Sequence, residues 1–393
     1  MKKKEKRKLK TRTVIIRTVI CVFTALFLVC AFILSGVAVI NYGPSKTARD
    51  LFVISMLETS AAKFLATWYF SDEAIESILE DNAVIADDGS SDPTLINIGG
   101  KTKEDETTDV YFPGVTDEYY EEITYNTGYE TEEEISYATD KVTEPPKTNN
   151  GNKPYLVSDG IEIYDVTGAT YSGKMMIVSD PSRLSVGTCG DYELKPSGKT
   201  LVRMAKDYNA TAAINGGGFE DKNGLGDGGT PIGLVITGGD LVFGEPDKKY
   251  DVIGFNENDV FIVGNMTGQQ ALDRGIRDAL SFGPVLVMNG KASTVKGSGS
   301  GLNPRTAIGQ RADGAVLLLV IDGRQATSLG ATYADLIDIM IDFGAVNAAN
   351  LDGGMSSYMY YKGEVITSPY MLFFNGRRTV ATSIIVTKLD EGN

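Results

Sequence analysis

Residues 18–40, "TVICVFTALFLVCAFILSGVAVI", are 23 consecutive positions without a charged side chain. A helix of that length, rising 1.5 Å per residue, spans the roughly 30 Å of a bilayer core. The run therefore divides the chain before any fold is considered. Residues 1–17 hold nine Lys or Arg and one Glu, a net of +8. Such a basic block favours the cytoplasmic side, which leaves the rest of the chain outside the cell. The rival reading is a cleaved signal peptide, whose apolar region is only about 7–15 residues long. The expectation is thus a retained signal anchor, single-pass in the cell membrane, with a cytoplasmic N-terminus and an extracellular body.

The chain has 393 residues and a formal charge of −15, so the residues after position 17 carry −23. An acidic body of this kind excludes a nucleic-acid partner, because phosphate backbones require a basic face. Histidine is absent. That removes Ser-His-Asp triads and imidazole metal sites, and leaves Asp, Glu, Lys, Tyr and Cys for acid–base chemistry. Cys21 and Cys30 lie in the apolar run, so Cys189 is alone in the body and forms no internal disulfide.

Composition divides the remainder. Residues 41–82 have helical spacing, with Leu51, Ile54, Leu65 and Trp68 apolar and a Ser-Asp-Glu cap at position 71. Two readings stand for them: a juxtamembrane helical stalk, or helices packed on the body. Residues 83–153 are rich in Glu, Thr, Tyr, Pro and Asn and poor in aliphatics, which predicts an acidic, mostly disordered linker. Residues 154–390 change character again, with dense glycine and short apolar runs. Two-residue turn signals split "VITGGDLVF", "LVMNGKAS", "RADGAVLLLVI" and "YYKGEVIT", and predict hairpins. Helical patterns are few: "TLVRMAKDY", and "TYADLIDIMIDF" with a Thr332–Asp335 capping box and an apolar face of Leu336, Ile339, Met340 and Phe343. The fold class is α+β, a single β-rich mixed-sheet domain with a few helices.

Residues 315–352 read as buried strand, "DGR", capped helix, buried strand, "DGG". A strand–helix–strand unit usually joins parallel strands, which places Asp322 and Asp352 on one edge of a sheet, where α/β sheets bind ligands. An echo lies upstream, where "TLVRMAKDY" leads to "ATAAI" and then "NGGGFE", so Asn215 sits at a further strand end. Glycine after each polar residue has two readings. One is a turn that needs positive φ, the other close backbone approach to a ligand with N–H groups presented to its oxygens. Arg305, Arg324 and the Arg377–Arg378 pair stand beside these motifs in an acidic chain, and suit forked recognition of phosphate or carboxylate.

Taken in order, "AAINGGGF", "NPRTAIG", "DGR", "NLDGGMSS" and "RRTVATSIIV" resemble the phosphodiester glycosidase family, with "PIGLVITGGDLV" and "GPVLVMNGK" in matching places. The family includes the lysosomal uncovering enzyme and bacterial envelope proteins, and the likeness covers about residues 160–387. The resemblance implies cleavage of a sugar joined through its anomeric carbon to a phosphodiester, typically an α-N-acetylglucosamine-1-phosphodiester. In this setting the substrate is a phosphorylated glycan or glycopolymer of the cell envelope. It also implies a pocket of Asn215, Gly216, Gly217, Arg305, Thr306, Arg324, Gly353, Gly354, Ser356 and Arg378, with Asp352 and Asp322 as the catalytic carboxylates. Glu220 is an outside candidate. The chain departs from the family pattern at Gly218 and Met355. A glycosidase needs carboxyl groups, and a phosphate leaving group needs charge stabilisation more than protonation. Two other readings stand: a non-catalytic binding module for anionic wall polymers, which needs the arginines but not both carboxylates, and a phosphodiesterase cutting P–O. No cofactor is certain. A Ca²⁺ or Mg²⁺ ion shared by the motif aspartates is one expectation. The stretch "DKNGLGD" at 221–227 makes a poor calcium loop, with Leu225 where an oxygen ligand belongs.

Overall fold

The computed structural model describes residues 2–59, 62–86, 89–98, 153–221, 226–368 and 378–389. The acidic stretch at 99–152, the centre of the 221–227 stretch and Arg377 lie outside the described residues.

The apolar run is part of one continuous helix, Lys2–Tyr42. Its stretch Thr13–Tyr42 is long and apolar enough to cross a membrane, by length and composition. The C-terminal body is built from three larger sheets of eight, five and five strands. In the eight-stranded sheet the Arg305–Arg311 strand lies between Val316–Ile321 and Ala345–Leu351, antiparallel to both. Those two outer strands are consequently parallel to each other, as the crossover through the helix Tyr333–Asp342 predicts, but they are not neighbours. Every strand pair among the described residues is antiparallel.

The Val316–Ile321 strand shows why these runs are unbroken. Val316, Leu318 and Val320 enter the core shared by all three sheets, with Ile214, Phe255 and Leu280. Leu317, Leu319 and Ile321 enter a second core against Leu336 and Met340 of the helix and Phe343 at its C-terminal cap. Alternate side chains point to opposite faces, and both faces are covered. The helix is capped as its sequence predicts, with Thr332 and Asp335 bonding each other's backbone N–H. The hairpin turns also follow the sequence: Asn289 and Gly290 both take positive φ, as do Lys362 and Gly363.

The second five-stranded sheet, which includes Ala212–Asn215 and Thr382–Val386, brings its own strand end to the edge that carries Asp352. The helix before it, Leu201–Asp207, is capped by Thr200, and the chain reverses at Asn209 with φ +49°.

Residues 46–98 are tied to the body rather than standing apart from it. Ser55 Oγ, in the helix Lys46–Leu57, accepts from Leu302 N–H at 2.8 Å, and a side chain at Gly301 would lie 2.3 Å from Ser55 N. Val84 and Ile85 pair with Val295 and Thr294, Asn97 N–H donates to the Ala312 carbonyl, and Ile96 is buried beside Leu234 and Ile262. Of the two readings of 41–82, helices packed on the body describe these contacts. The described residues at the start of the stretch assigned to the linker, 83–86 and 89–98, are held by the same means: a few apolar anchors and backbone pairing outweigh their polar composition.

Candidate active site

Four turns meet where the sheets end. Asn215 closes its strand with its side chain fully buried. Its Nδ2 donates to the Asp352 carbonyl at 2.6 Å, and its Oδ1 accepts from Thr306 Oγ1 at 2.8 Å and from Tyr358 N–H at 3.2 Å. One buried amide thus fixes three chain segments, a geometry in which every polar atom is satisfied. Asp352 N–H donates to the Gly216 carbonyl at 3.1 Å, and Gly354 N–H donates to Pro304 at 2.9 Å. The two strand ends that echo each other in sequence therefore meet in space.

The glycines serve this convergence. A Cβ at Gly216 would lie 2.5 Å from Thr382 Oγ1, at Gly217 2.7 Å from the Ser281 carbonyl, and at Gly353 2.8 Å from the Pro304 carbonyl. Gly354 has φ +63°. The expectation of N–H groups open to a ligand needs correction. Gly216 and Gly217 donate to Thr382, Gly353 to Asp352 Oδ1 and Gly354 to Pro304. Turns this crowded spend their N–H groups on one another.

Asp352 is the residue at the centre. Its carboxyl accepts from Gly353 N–H at 3.0 Å and is hydrogen-bonded to the buried Ser356. Burial pushes its pKa up to about 6, against the opposing pull of Ser356, Gly353 and Arg378. Arg378 forms an ion pair with Asp221 at 2.7 Å, sits 5.0 Å from the Phe219 ring, and donates its backbone N–H to Tyr358 Oη at 3.0 Å.

The other arginines cluster across Asn303. Arg324 Nε and Nη2 donate to Asn303 Oδ1 at 3.1 and 2.7 Å. A Cβ at Gly354 would be 3.5 Å from Arg324 Nη1, so this guanidinium lies over the "DGG" turn. Arg305, almost wholly buried, stacks 4.3 Å from the Tyr333 ring centroid. Its Nη2 donates at 2.8 Å both to the Gly301 carbonyl and to Glu58 Oε2, and Asn303 Nδ2 donates to the same Glu58 oxygen. Tyr333 has its pKa raised, chiefly by burial, with Glu58 and Asp352 adding to the rise and Arg305 opposing it.

Asp322 reaches the same sheet edge, but its carboxyl turns elsewhere. Oδ1 accepts from Ser368 N–H at 2.8 Å, and burial raises its pKa. It shares no hydrogen-bond partner with Asp352 among the described residues. No group of three His, Cys, Asp or Glu placed to hold a metal ion occurs among the described residues. Glu220, the outside candidate, donates its backbone N–H to Thr230. Sequence reasoning missed Asn303, Tyr333 and Tyr358, although Asn303 stands two places before Arg305 in the motif and Tyr333 opens the capped helix. It also missed Glu58, for which no local signal exists.

Residues 208–387 match the phosphodiester glycosidase family. That stretch is similar to phosphodiester glycosidase domains. The matched range contains Asn215, Arg305, Asp322, Asp352 and Arg378, and leaves Glu58 outside it. An uncharacterised prophage-derived protein of Bacillus subtilis is 28% identical over 280 residues, covering 67% of this chain and 39% of its own length. The bovine protein named N-acetylglucosamine-1-phosphodiester alpha-N-acetylglucosaminidase is 24% identical over 188 residues, covering 43% of this chain and 34% of its own. The chain thus spans under two fifths of the length of these curated relatives. Among solved structures, the zebrafish catalytic domain of that name, auto-inhibited by pro-peptide, aligns with TM-score 0.48 at 21% identity, covering 58% of this chain and 82% of that one. Members of the phosphodiester glycosidase family are hydrolases acting on phosphodiester-linked sugars, and the matched stretch here presents carboxyl and guanidinium groups at one sheet edge.

Proposed function

We propose that the protein is a membrane-anchored extracytoplasmic hydrolase that cleaves the bond between a sugar's anomeric carbon and a phosphodiester, with α-N-acetylglucosamine the expected sugar and a cell-envelope glycan or glycopolymer the expected carrier. The observation that carries this reading is Asp352, a half-buried carboxyl with a raised pKa at a junction edged by Arg305, Arg324 and Arg378, inside the family-matched range. Water adds its oxygen to C1, the C1–O bond breaks, and the electron pair leaves with the phosphate as a phosphomonoester that takes up the proton. The leaving group is a stable anion, so Asp352 serves as the carboxylate at the sugar carbon, with Asp322 the second carboxylate. The arginines stabilise charge on the departing phosphate. Asn215, Thr306 and Ser356 hold Asp352 and its turn in place, and the glycines at 216, 217, 353 and 354 let the turns close around the sugar. The N-terminal helix holds the domain outside the membrane, its basic end in the cytoplasm.

The test is the full chain in detergent with a synthetic α-GlcNAc-1-phosphodiester, with and without EDTA. Free N-acetylglucosamine is expected, and Asp352→Asn should reduce its release by at least ~100-fold, the usual scale of a lost catalytic group. Asp322→Asn is expected to lower it as well. The EDTA arm reports whether a divalent cation, Ca²⁺ or Mg²⁺, takes part. Retention of the compound without release would instead support a binding module.

A further inference from the structure

Between the membrane-length helix and the glycosidase domain lies a short turn of helix, Phe64–Thr67, capped by Trp68. Its inner side is packed: Ala66 is fully buried with Val53, Ile54 and Ile78. Its outer side is not. Trp68 is 70% exposed and Phe64 42%, with their ring centroids 4.8 Å apart. Two large rings in contact with each other and open to solvent are the type of patch that marks an interaction surface.

The neighbourhood identifies the partner. Tyr69 Oη donates to the Leu34 carbonyl at 3.5 Å, and its ring meets that of Tyr42 at 6.0 Å. The aromatic turn therefore lies alongside the last turns of the apolar helix. Leu34 is about 12 Å below Tyr42 along the axis at 1.5 Å per residue. The stretch Thr13–Tyr42, 30 residues long, is about 45 Å, the thickness of hydrocarbon and headgroup layers together. Tyr69's contact thus falls about 5 Å inside the hydrocarbon, just below its boundary with the headgroups. Trp and Tyr concentrate around that boundary because one end of the ring system is apolar and the other polar. Lys63, beside Phe64, is exposed, which suits a cation that meets headgroup phosphates with its stem along lipid.

We infer that Phe64 and Trp68 dip into the outer face of the lipid bilayer and seat the glycosidase domain directly on the membrane. This rests on the reading of the Lys2–Tyr42 helix as a membrane span. Glu58, six residues before Phe64, pairs with Arg305 of the candidate site, so the seat and the site are joined by a short stretch of chain. A substrate reached in this posture is one carried at the membrane surface.

Trp68 is the chain's single tryptophan, so its fluorescence reports the seat alone. The full chain is reconstituted in phosphatidylcholine vesicles and floated to confirm incorporation. Lipids brominated near the headgroup are expected to quench Trp68 at least twofold more than lipids brominated near the chain end, and aqueous iodide should quench it little. Moving the probe one turn with Phe64→Trp/Trp68→Phe should preserve that pattern. Strong iodide quenching without bromolipid quenching, in protein that floats, overturns the inference while leaving the span intact. Shielding from both quenchers also overturns it, since protein then covers the rings. Failure to float overturns the membrane span and the inference together.

Discussion

Asp352 is a carboxyl whose folded state disfavours its own charge. Its pKa is raised from 3.8 to about 6, so the native protein holds that proton more tightly than the unfolded chain does. The sign follows from linkage: the cost of the charged form is absent below the unfolded value, grows between the two, and is complete above the folded one. Asp352→Asn is therefore expected to stabilise the protein by about 1–3 kcal/mol at pH 7.5, at 1.36 kcal/mol per pKa unit, and by little at pH 4. Chemical denaturation at the two pH values checks it, and equal effects at both would show that burial does not strain the group. Because the proposed role needs the carboxylate, kcat/KM is expected to rise with pH through about 6. A fall through that range would make Asp352 an acid instead. Gly353 gives a steric counterpart. Gly353→Ala places a methyl 2.8 Å from the Pro304 carbonyl. It is expected to cost about 1–3 kcal/mol and most of the activity, read by thermal melting beside the sugar-release assay.

At the scale of elements, much was legible from sequence because its determinants are local. The Asn-Gly and Lys-Gly turns, the capping box at Thr332 and the unbroken apolar strands each depend on residues a few places apart, and each forms as its pattern implies. The shared edge of Asp322 and Asp352 was legible as well, because a strand–helix–strand crossover runs its two strands in the same direction. The intervening antiparallel strand was not, because register between sheets is set by packing that no local period encodes. Nor was Glu58, whose bond to Arg305 joins residues 247 places apart. The glycine motifs told of close approach, but their N–H groups are consumed within the site, a fact that depends on Thr382 and Pro304 arriving from elsewhere. These long-range contacts predict that the C-terminal body depends on residues 46–98. A chain beginning at Gly151 loses the Glu58 partner of the buried Arg305, the Val84–Val295 pairing and the buried Ile96. It is expected to melt several degrees below one beginning at Lys46, since a few kcal/mol moves the midpoint of a domain this size by that much. Equal melting temperatures would show those contacts to be incidental.

For the whole molecule, charge, span and site act together. In the proposed function, the basic end, the apolar helix and the strongly acidic body order the chain across a membrane, and the arginines of the candidate site face an anionic leaving group. The account's central claim is that the bond broken is carbon to oxygen at the sugar. Hydrolysis of the α-GlcNAc-1-phosphodiester by the full chain in ¹⁸O-labelled water tests it directly, by mass spectrometry of both products. The account predicts the label on the C1 hydroxyl of the released sugar and none in the phosphomonoester. Label in the phosphate would contradict it, and would make the protein a phosphodiesterase that uses the same arginines.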